Sequence, residues 1–363
     1  MKGLSIISIV LSTLIVIQPV AVTAFETDQY NLPHVPLADV GDEVTVYVEQ
    51  QLLAAVENVN KEIARRSLCV EKISERPKGC SSLAKENEKL AFLRSNSALA
   101  DEFADRLAGD NLSTTKFGSW IQKHKFRGQP DRYKTSYGHS IYILSPANYA
   151  TISPTVRLYG VEFGIDKLEH FFQQGYQYYE IERKALAKKL PADAALKKAV
   201  SWGKKTERTY YGLLTSGVYS KADLAANYAG MRFYQGLSNA VRIGETTRPP
   251  FVILDNGYWK RHGQAAGDML LKPFISEHLN EALNPSAFRF TLVRSVRRAV
   301  KKYACEDWRK WQPNLNAEEF KTRSASLQTW HGEDYGWTKK SHTVSIADEC
   351  LVAESAFAEA RTK

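Results

Sequence analysis

Between Asp42 and Arg66 the apolar residues Val44, Val48, Leu52, Val56, Val59 and Ile63 recur every three or four positions. A stripe of that period, sustained over about six turns, fits a helix with one buried face and does not fit a strand. One buried face needs partners, and the rest of the chain supplies mostly helices. Ser81 or Ser82 starts a second one running to about Ser95, and Ala98 to Leu107 stays helical until Gly109. The pattern predicts further helices over 166–188, 192–213, 220–243, 268–283, 287–310, 317–329 and 345–361. Two short strands are expected. His139–Leu144 is closed by Ser145-Pro146, and Phe251–Leu254 lies between Pro249-Pro250 and Gly257. Strands and helices do not alternate, so a doubly wound sheet is excluded, and no repeat of solenoid length is present. The expected fold is mainly α, a multi-helix globular domain with a few short strands and two disulfides.

The N-terminus reads as an export signal. Lys2 is followed by an apolar run from Leu4 to Ile17, broken only by hydroxyl residues, and Val22-Thr23-Ala24 sets small residues for cleavage after Ala24. The run is short of the roughly 20 residues that span a bilayer, and Pro19 interrupts it. No later stretch approaches that length, so the mature chain is expected to have no transmembrane segment. The division is therefore a signal peptide over 1–24, an N-terminal helical segment over 25–130 and a main helical domain over 131–363. Its place is periplasmic or extracellular.

Export gives the four cysteines a structural meaning. Of three connectivities, Cys69–Cys80 with Cys305–Cys350 fits best: the first staples a helical hairpin across Pro77-Lys78-Gly79, and the second ties the C-terminal helix to the body. Zinc is not expected, since no pair has C-x-x-C spacing.

With 44% hydrophobic and 25% charged residues the chain is no disordered polymer. Its formal charge of +9, one unit of it from Lys2, favours anionic partners. The charge is most concentrated at Arg294, Arg297, Arg298, Lys301 and Lys302, which share one helical face opposite Val293, Val296 and Val300. A solvated side of an amphipathic helix explains the same pattern, and export argues against nucleic acid as the partner.

No phosphate loop, dinucleotide fingerprint, nucleophile elbow or H-E-x-x-H helix occurs, and no cofactor or metal is expected. Two polar segments stand out instead. In Asp166-Lys167-Leu168-Glu169-His170-Phe171-Phe172, Asp166 and His170 fall one helical turn apart, where a carboxylate orients an imidazole for acid–base work. Against this, Asp166 and Glu169 also form a capping box. In Ser220-Lys221-Ala222-Asp223, followed by Asn227 and Gly230, a second capping box explains Ser220 and Asp223 but leaves Asn227 in mid-helix. Asn and Gly are both poor helix formers, so Asp223, Asn227 and Gly230 suggest a ligand-binding or closely packed face. Glu277-His278-Leu279-Asn280-Glu281 would put His278 and Glu281 on one helical face. A shared metal would need a second such motif, so a solvated face explains the segment better. Tyr176, Tyr178, Tyr179, Tyr210, Tyr211, Tyr228 and Tyr234 surround the two polar segments, and Trp308, Trp311, Trp330 and Trp337 gather near the C-terminus. Core packing accounts for both sets, and a glycan groove for the tyrosines.

Over about 70 residues, the pair of segments D-K-x-x-H-F and D-x-x-x-N-x-x-G resembles the VanZ-like family and small YfiM-type exported lipoproteins. The resemblance implies a polar cluster of Asp166, His170, Asp223 and Asn227 between two packed helices of a cell-envelope protein, and it implies no reaction. VanZ-like proteins span membranes several times, whereas Gln173, Gln174, Glu180 and Glu182 make these helices too polar to span. The expectation is an exported bacterial envelope protein that binds or organises an anionic or glycan component through this inter-helix site. A hydrolase using His170 as base and Asp166 as its orienter, or a purely structural helical protein, are the alternatives.

Overall fold

The architecture comes from a computed structural model, which describes residues 26–71, 77–108, 115–243, 246–263, 270–311 and 340–351, together with 318–319, 322, 329–330 and 333–334. The export signal over 1–24, most of the helix expected over 317–329, and most of that over 345–361 lie outside the described residues.

The fold is mainly α, as the apolar periodicity requires. The long stripe forms α1 (Gly41–Glu71), with Val44, Val48, Leu52, Val56, Val59 and Ile63 all buried. Helices α2 (Leu83–Leu93) and α3 (Asn96–Ala108) cover that face. The short helices α4 (Lys116–Lys123) and α5 (Pro146–Ala150) lead to a hairpin of β1 (Thr155–Leu158) and β2 (Val161–Gly164). Gly164 turns the chain into α6 (Ile165–Glu169), which runs through one π turn (His170–Gln174) into α7 (Gly175–Ala187). Next come α8 (Ala192–Glu207), β3 (Val218–Tyr219) and α9 (Lys221–Gln235). Two hairpins follow, β4 (Val241–Ile243) with β5 (Thr246–Arg248) and β6 (Val252–Asp255) with β7 (Tyr258–Arg261). Strand β8 (Ala287–Phe288) pairs with β3, and α10 (Phe290–Ala299) continues through a second π turn (Val300–Ala304) into α11 (Cys305–Trp311).

The disulfides are Cys69–Cys80 and Cys305–Cys350. The first closes the α1–α2 hairpin, and the second ties the start of α11 to a C-terminal π turn (Ala347–Leu351). No described helix is long and apolar enough to cross a membrane.

Four expected elements fail in whole or in part, each for a local reason; the helix expected over 192–213 ends at Glu207, where the chain enters successive turns. His139–Leu144 is not a strand. Ile141 and Tyr142 are both buried in a turn whose amides bond Asp28 and Ser140, so the apolar run marks consecutive burial and not alternation. Residues 268–283 are not a helix where described: Pro273 and the Asn280 side chain, which accepts from the amides of Ala282 and Leu283, leave two single 3₁₀ turns. The helix expected over 220–243 stops at Gly236, because the chain then turns into β4.

The larger apolar core joins side chains from both sides of residue 130, from Val44 and Phe103 to Phe171 and Phe233. A smaller core gathers Tyr30, Tyr142, Phe288, Val296 and Trp308. Between them runs a buried N-terminal segment, Glu26 to Asn31, all of it polar except Tyr30.

Candidate functional site

Helices α7 and α9 meet at their glycines. A Cβ on Gly230 would overlap the Phe171 carbonyl, and one on Gly175 would strike the Gly230 backbone. That contact brings the π turn and α6 flat against α9, so the two polar segments face each other. Steric need, not ligand contact, therefore accounts for Gly230.

At their meeting point lies Lys167, fully buried. Its Nζ donates to Asp166 Oδ2 and Glu281 Oε1, each at 2.6 Å. It also lies 2.6 Å from Asp223 Oδ1, as an ion pair out of line for a hydrogen bond. Burial alone disfavours an ammonium, but Asp166, Asp223, Glu281 and Glu26 overcome it and hold Lys167 well above its ordinary value. Asp166, Asp223 and Glu281 carry oxygens within 4.8 Å of one another, a spacing that suits a metal ion, and the ammonium touches all three.

The carboxyl groups are held from outside as well. The Thr27 hydroxyl donates to Asp166 Oδ1 at 2.6 Å. Ser220 caps α9 by accepting from the Asp223 amide, and its hydroxyl donates to Glu281 Oε1 at 3.0 Å. The second half of the expected capping box is absent, since the Ser220 amide donates to Glu207 Oε1 and not to Asp223. Glu207 and Glu26 are buried and pushed well above the carboxyl range, first by desolvation and then by Asp223 and other acids. Glu281 is pushed up to about 7 by burial, with Lys167 opposing. Asp223 goes the other way: burial raises it, but His170 and Lys167 outweigh that and hold it below its ordinary value.

His170 is where the network reaches solvent. Its side chain is 18% exposed, while those of Lys167, Asp166, Asp223 and Glu281 are at most 2% exposed. Nδ1 lies 3.1 Å from Asn227 Oδ1 and Nε2 lies 3.4 Å from Asp223 Oδ2, so both ring nitrogens face acceptors. The Asn227 side chain also bonds the Tyr178 hydroxyl, which accounts for an Asn in mid-helix. Asp166, expected to orient His170, instead serves Lys167 and Thr27. Asp223 takes the place beside the ring. Glu281 joins the network, while the His278 ring bonds Ser276 Oγ, so the two do not share a face.

The basic residues form a separate site. On α10 and the π turn after it, Val293, Val296 and Val300 are buried, while Arg294, Arg298, Lys301 and Lys302 are exposed. Arg297 and Lys301 share Glu349, at 3.0 and 3.2 Å. Arg294, Arg298 and Lys302 have no carboxylate partner among the described residues. Heading the same stripe, one turn before Arg294, is Phe290 at 71% exposure. Leu214 at 68% lies in the neighbouring turn, where Arg289 bonds the Leu213 carbonyl.

Lys167, Glu26 and Glu207 were not singled out by sequence pattern. A lysine in the run Ile165-Asp166-Lys167-Leu168, between two residues that must be buried, was the available signal. Phe290 could have been found from its i, i+4 spacing to Arg294. Set against known proteins, the chain matches no family model, no curated protein and no solved structure.

Proposed function

We propose that this is an exported cell-envelope protein that associates with an anionic lipid surface through the face of α10. The observation that carries the reading is the stripe Phe290, Arg294, Arg298 and Lys302, in which the most exposed large apolar side chain among the described residues heads three cations that have no acidic partner among those residues. An apolar ring beside basic side chains on one helix face suits the boundary between headgroups and acyl chains. A soluble acidic glycan would satisfy the cations but leave Phe290 unexplained. Two disulfides fit maturation in an oxidising compartment, and the local VanZ-like and YfiM-type resemblance adds an envelope setting. The Cys305–Cys350 bridge is buried in the smaller core, which also takes the inner face of α10, Val293, Val296 and Ala299.

The inter-helix network serves this reading as scaffold. An anion entering it would meet five carboxyl groups, and a hydrolase centred on His170 would need a ring nitrogen for its substrate, whereas both face internal acceptors.

Sedimentation with phosphatidylglycerol vesicles, beside phosphatidylcholine vesicles, tests the proposal. The full chain should bind the anionic vesicles and release them as salt is raised, because exposed charges are screened. Arg294→Glu with Arg298→Glu and Lys302→Glu should abolish binding, and Phe290→Ser should weaken it without changing its salt dependence. Undiminished binding by the triple variant would overturn the assignment.

A further inference from the structure

Apolar side chains exposed singly are ordinary on a protein surface. The three most exposed large ones among the described residues are Phe290 at 71%, Leu144 at 68% and Leu214 at 68%. They lie far apart in sequence, yet the segments that carry them are tied to one another. Strand β3 pairs with β8, and the Arg289 amide donates to the Gly217 carbonyl at 2.8 Å. The Arg289 guanidinium donates to the Leu213 carbonyl, and a Cβ on Gly217 would strike the Leu292 side chain. The turn bearing Leu214 is therefore fixed against the start of α10. Leu144 sits in a loop held on both sides. On one side the His139 ring meets the Tyr303 ring, which Lys302 Nζ also faces at 4.8 Å. On the other, the Asn148 side chain donates to the Ser216 carbonyl at 2.6 Å. A half-exposed tyrosine accompanies each leucine. The Tyr137 hydroxyl donates to the Ile143 carbonyl beside Leu144, and Tyr210 lies in the turn of Leu214, its carbonyl taken by the Thr215 hydroxyl.

We propose that Leu144, Leu214 and Phe290 enter the acyl region of a fluid anionic bilayer together, as three anchors beside the basic stripe of α10. The inference rests on the α10 reading and adds what happens beneath the headgroups. Apolar tips suit the lipid chains, tyrosines the boundary, and Arg294, Arg298 and Lys302 the phosphates. The cations select an anionic bilayer over a neutral one. A soluble polyanion matches the charges but offers nothing to three separate apolar tips. Anchors also need room between headgroups, so the partner is a fluid membrane and not a tightly packed one. None of the three side chains belongs to either apolar core, so each can be changed without unfolding the protein.

The test is sedimentation of the full, disulfide-intact chain with two kinds of phosphatidylglycerol vesicle, one with unsaturated fluid chains and one with saturated chains held in the gel phase. Headgroup charge is the same in both. The chain should bind the fluid vesicles about ten-fold or more tightly than the gel ones. Leu144→Ser and Leu214→Ser should each weaken fluid binding by about ten-fold, with gel binding and the melting temperature unchanged. Equal affinity for the two vesicles would overturn insertion, as would full fluid binding by Leu144→Ser combined with Leu214→Ser. In both cases the α10 reading stands as long as the triple glutamate variant fails to bind. No binding of the wild type to either vesicle would overturn both readings. A lipid-free dimer in sedimentation velocity that Leu214→Ser dissociates would also overturn insertion, giving the tips to a second copy of the chain.

Discussion

The interior around Lys167 and the outer face of α10 both concentrate charge, and they do so under opposite rules. Around Lys167 acids outnumber bases, everything is buried, and contacts are fixed at hydrogen-bond distance. On α10 bases dominate, and Arg294, Arg298 and Lys302 stand in solvent without acidic partners. Charge of the first kind is chosen for what it holds together, because water cannot rescue an unmatched group there. Charge of the second kind costs the fold little either way, so its arrangement is free to serve a partner. The comparison predicts that mutations inside act on stability and that mutations on α10 act on binding.

Lys167→Met offers the largest effect. Removing the ammonium leaves its acids facing one another, and should cost about 3–5 kcal/mol in urea unfolding at pH 7. The loss should shrink at pH 5, where the acids accept protons. A loss under 1 kcal/mol would erase the contrast between the regions.

Next comes the pH dependence of the wild type. Burial raises Glu281 to about 7 from 4.5, and likewise Glu169. A carboxyl raised in the folded state contributes stability that is full below its unfolded value and is lost as pH climbs through its folded one. Unfolding free energy should therefore fall between pH 5 and pH 8, on the order of 2–3 kcal/mol for either group. A flat or rising profile would mean that these acids are charged in the folded protein.

Asn227→Ala should follow. It gains helix propensity but strips partners from His170 and Tyr178, and the net is a loss of about 1–3 kcal/mol seen as a lower melting temperature. A higher one would mark Asn227 as kept for a ligand. The smallest effect belongs to α10: Arg294→Glu should shift unfolding by no more than about 0.5 kcal/mol, while measurably weakening vesicle binding.

How much of this was legible in sequence differs between the two regions. The α10 face could be read directly, because Arg294, Arg298 and the buried valines obey one helical period. So could α1, both disulfides and the β6 strand. The interior was only half legible. Helical spacing paired Asp166 with His170 and Asp223 with Asn227, yet Thr27 and Glu281, which complete the network around Asp166 and Lys167, come from distant segments that no local period connects to either helix. Glu281 was misplaced for a further reason, since a helical pattern over 268–283 gave way to turns set by Asn280. Lys167 stood in the D-K-x-x-H-F pattern without a role, because lysine ordinarily marks a solvated position, and nothing adjacent to it announces five acids.

The buried segment from Glu26 to Asn31 sets an order of events. Besides mid-chain partners at Ile141 and Asp166, it has late ones: the Gln29 side chain takes the amide of Glu281, the Tyr30 carbonyl takes the Trp308 indole, and the Tyr30 hydroxyl reaches the carbonyl of Val344. When the N-terminal end emerges first, the Tyr30 end of this strip cannot seat fully until more than three hundred residues have followed it out. Until then its acids stay wet and the two apolar cores stay unsealed. A chain threaded N-terminus first through an export channel would thus close its fold only at the finish, with its earliest residues acting as the last bolt. Truncation from the C-terminal side should then leave not a smaller folded body but an open one.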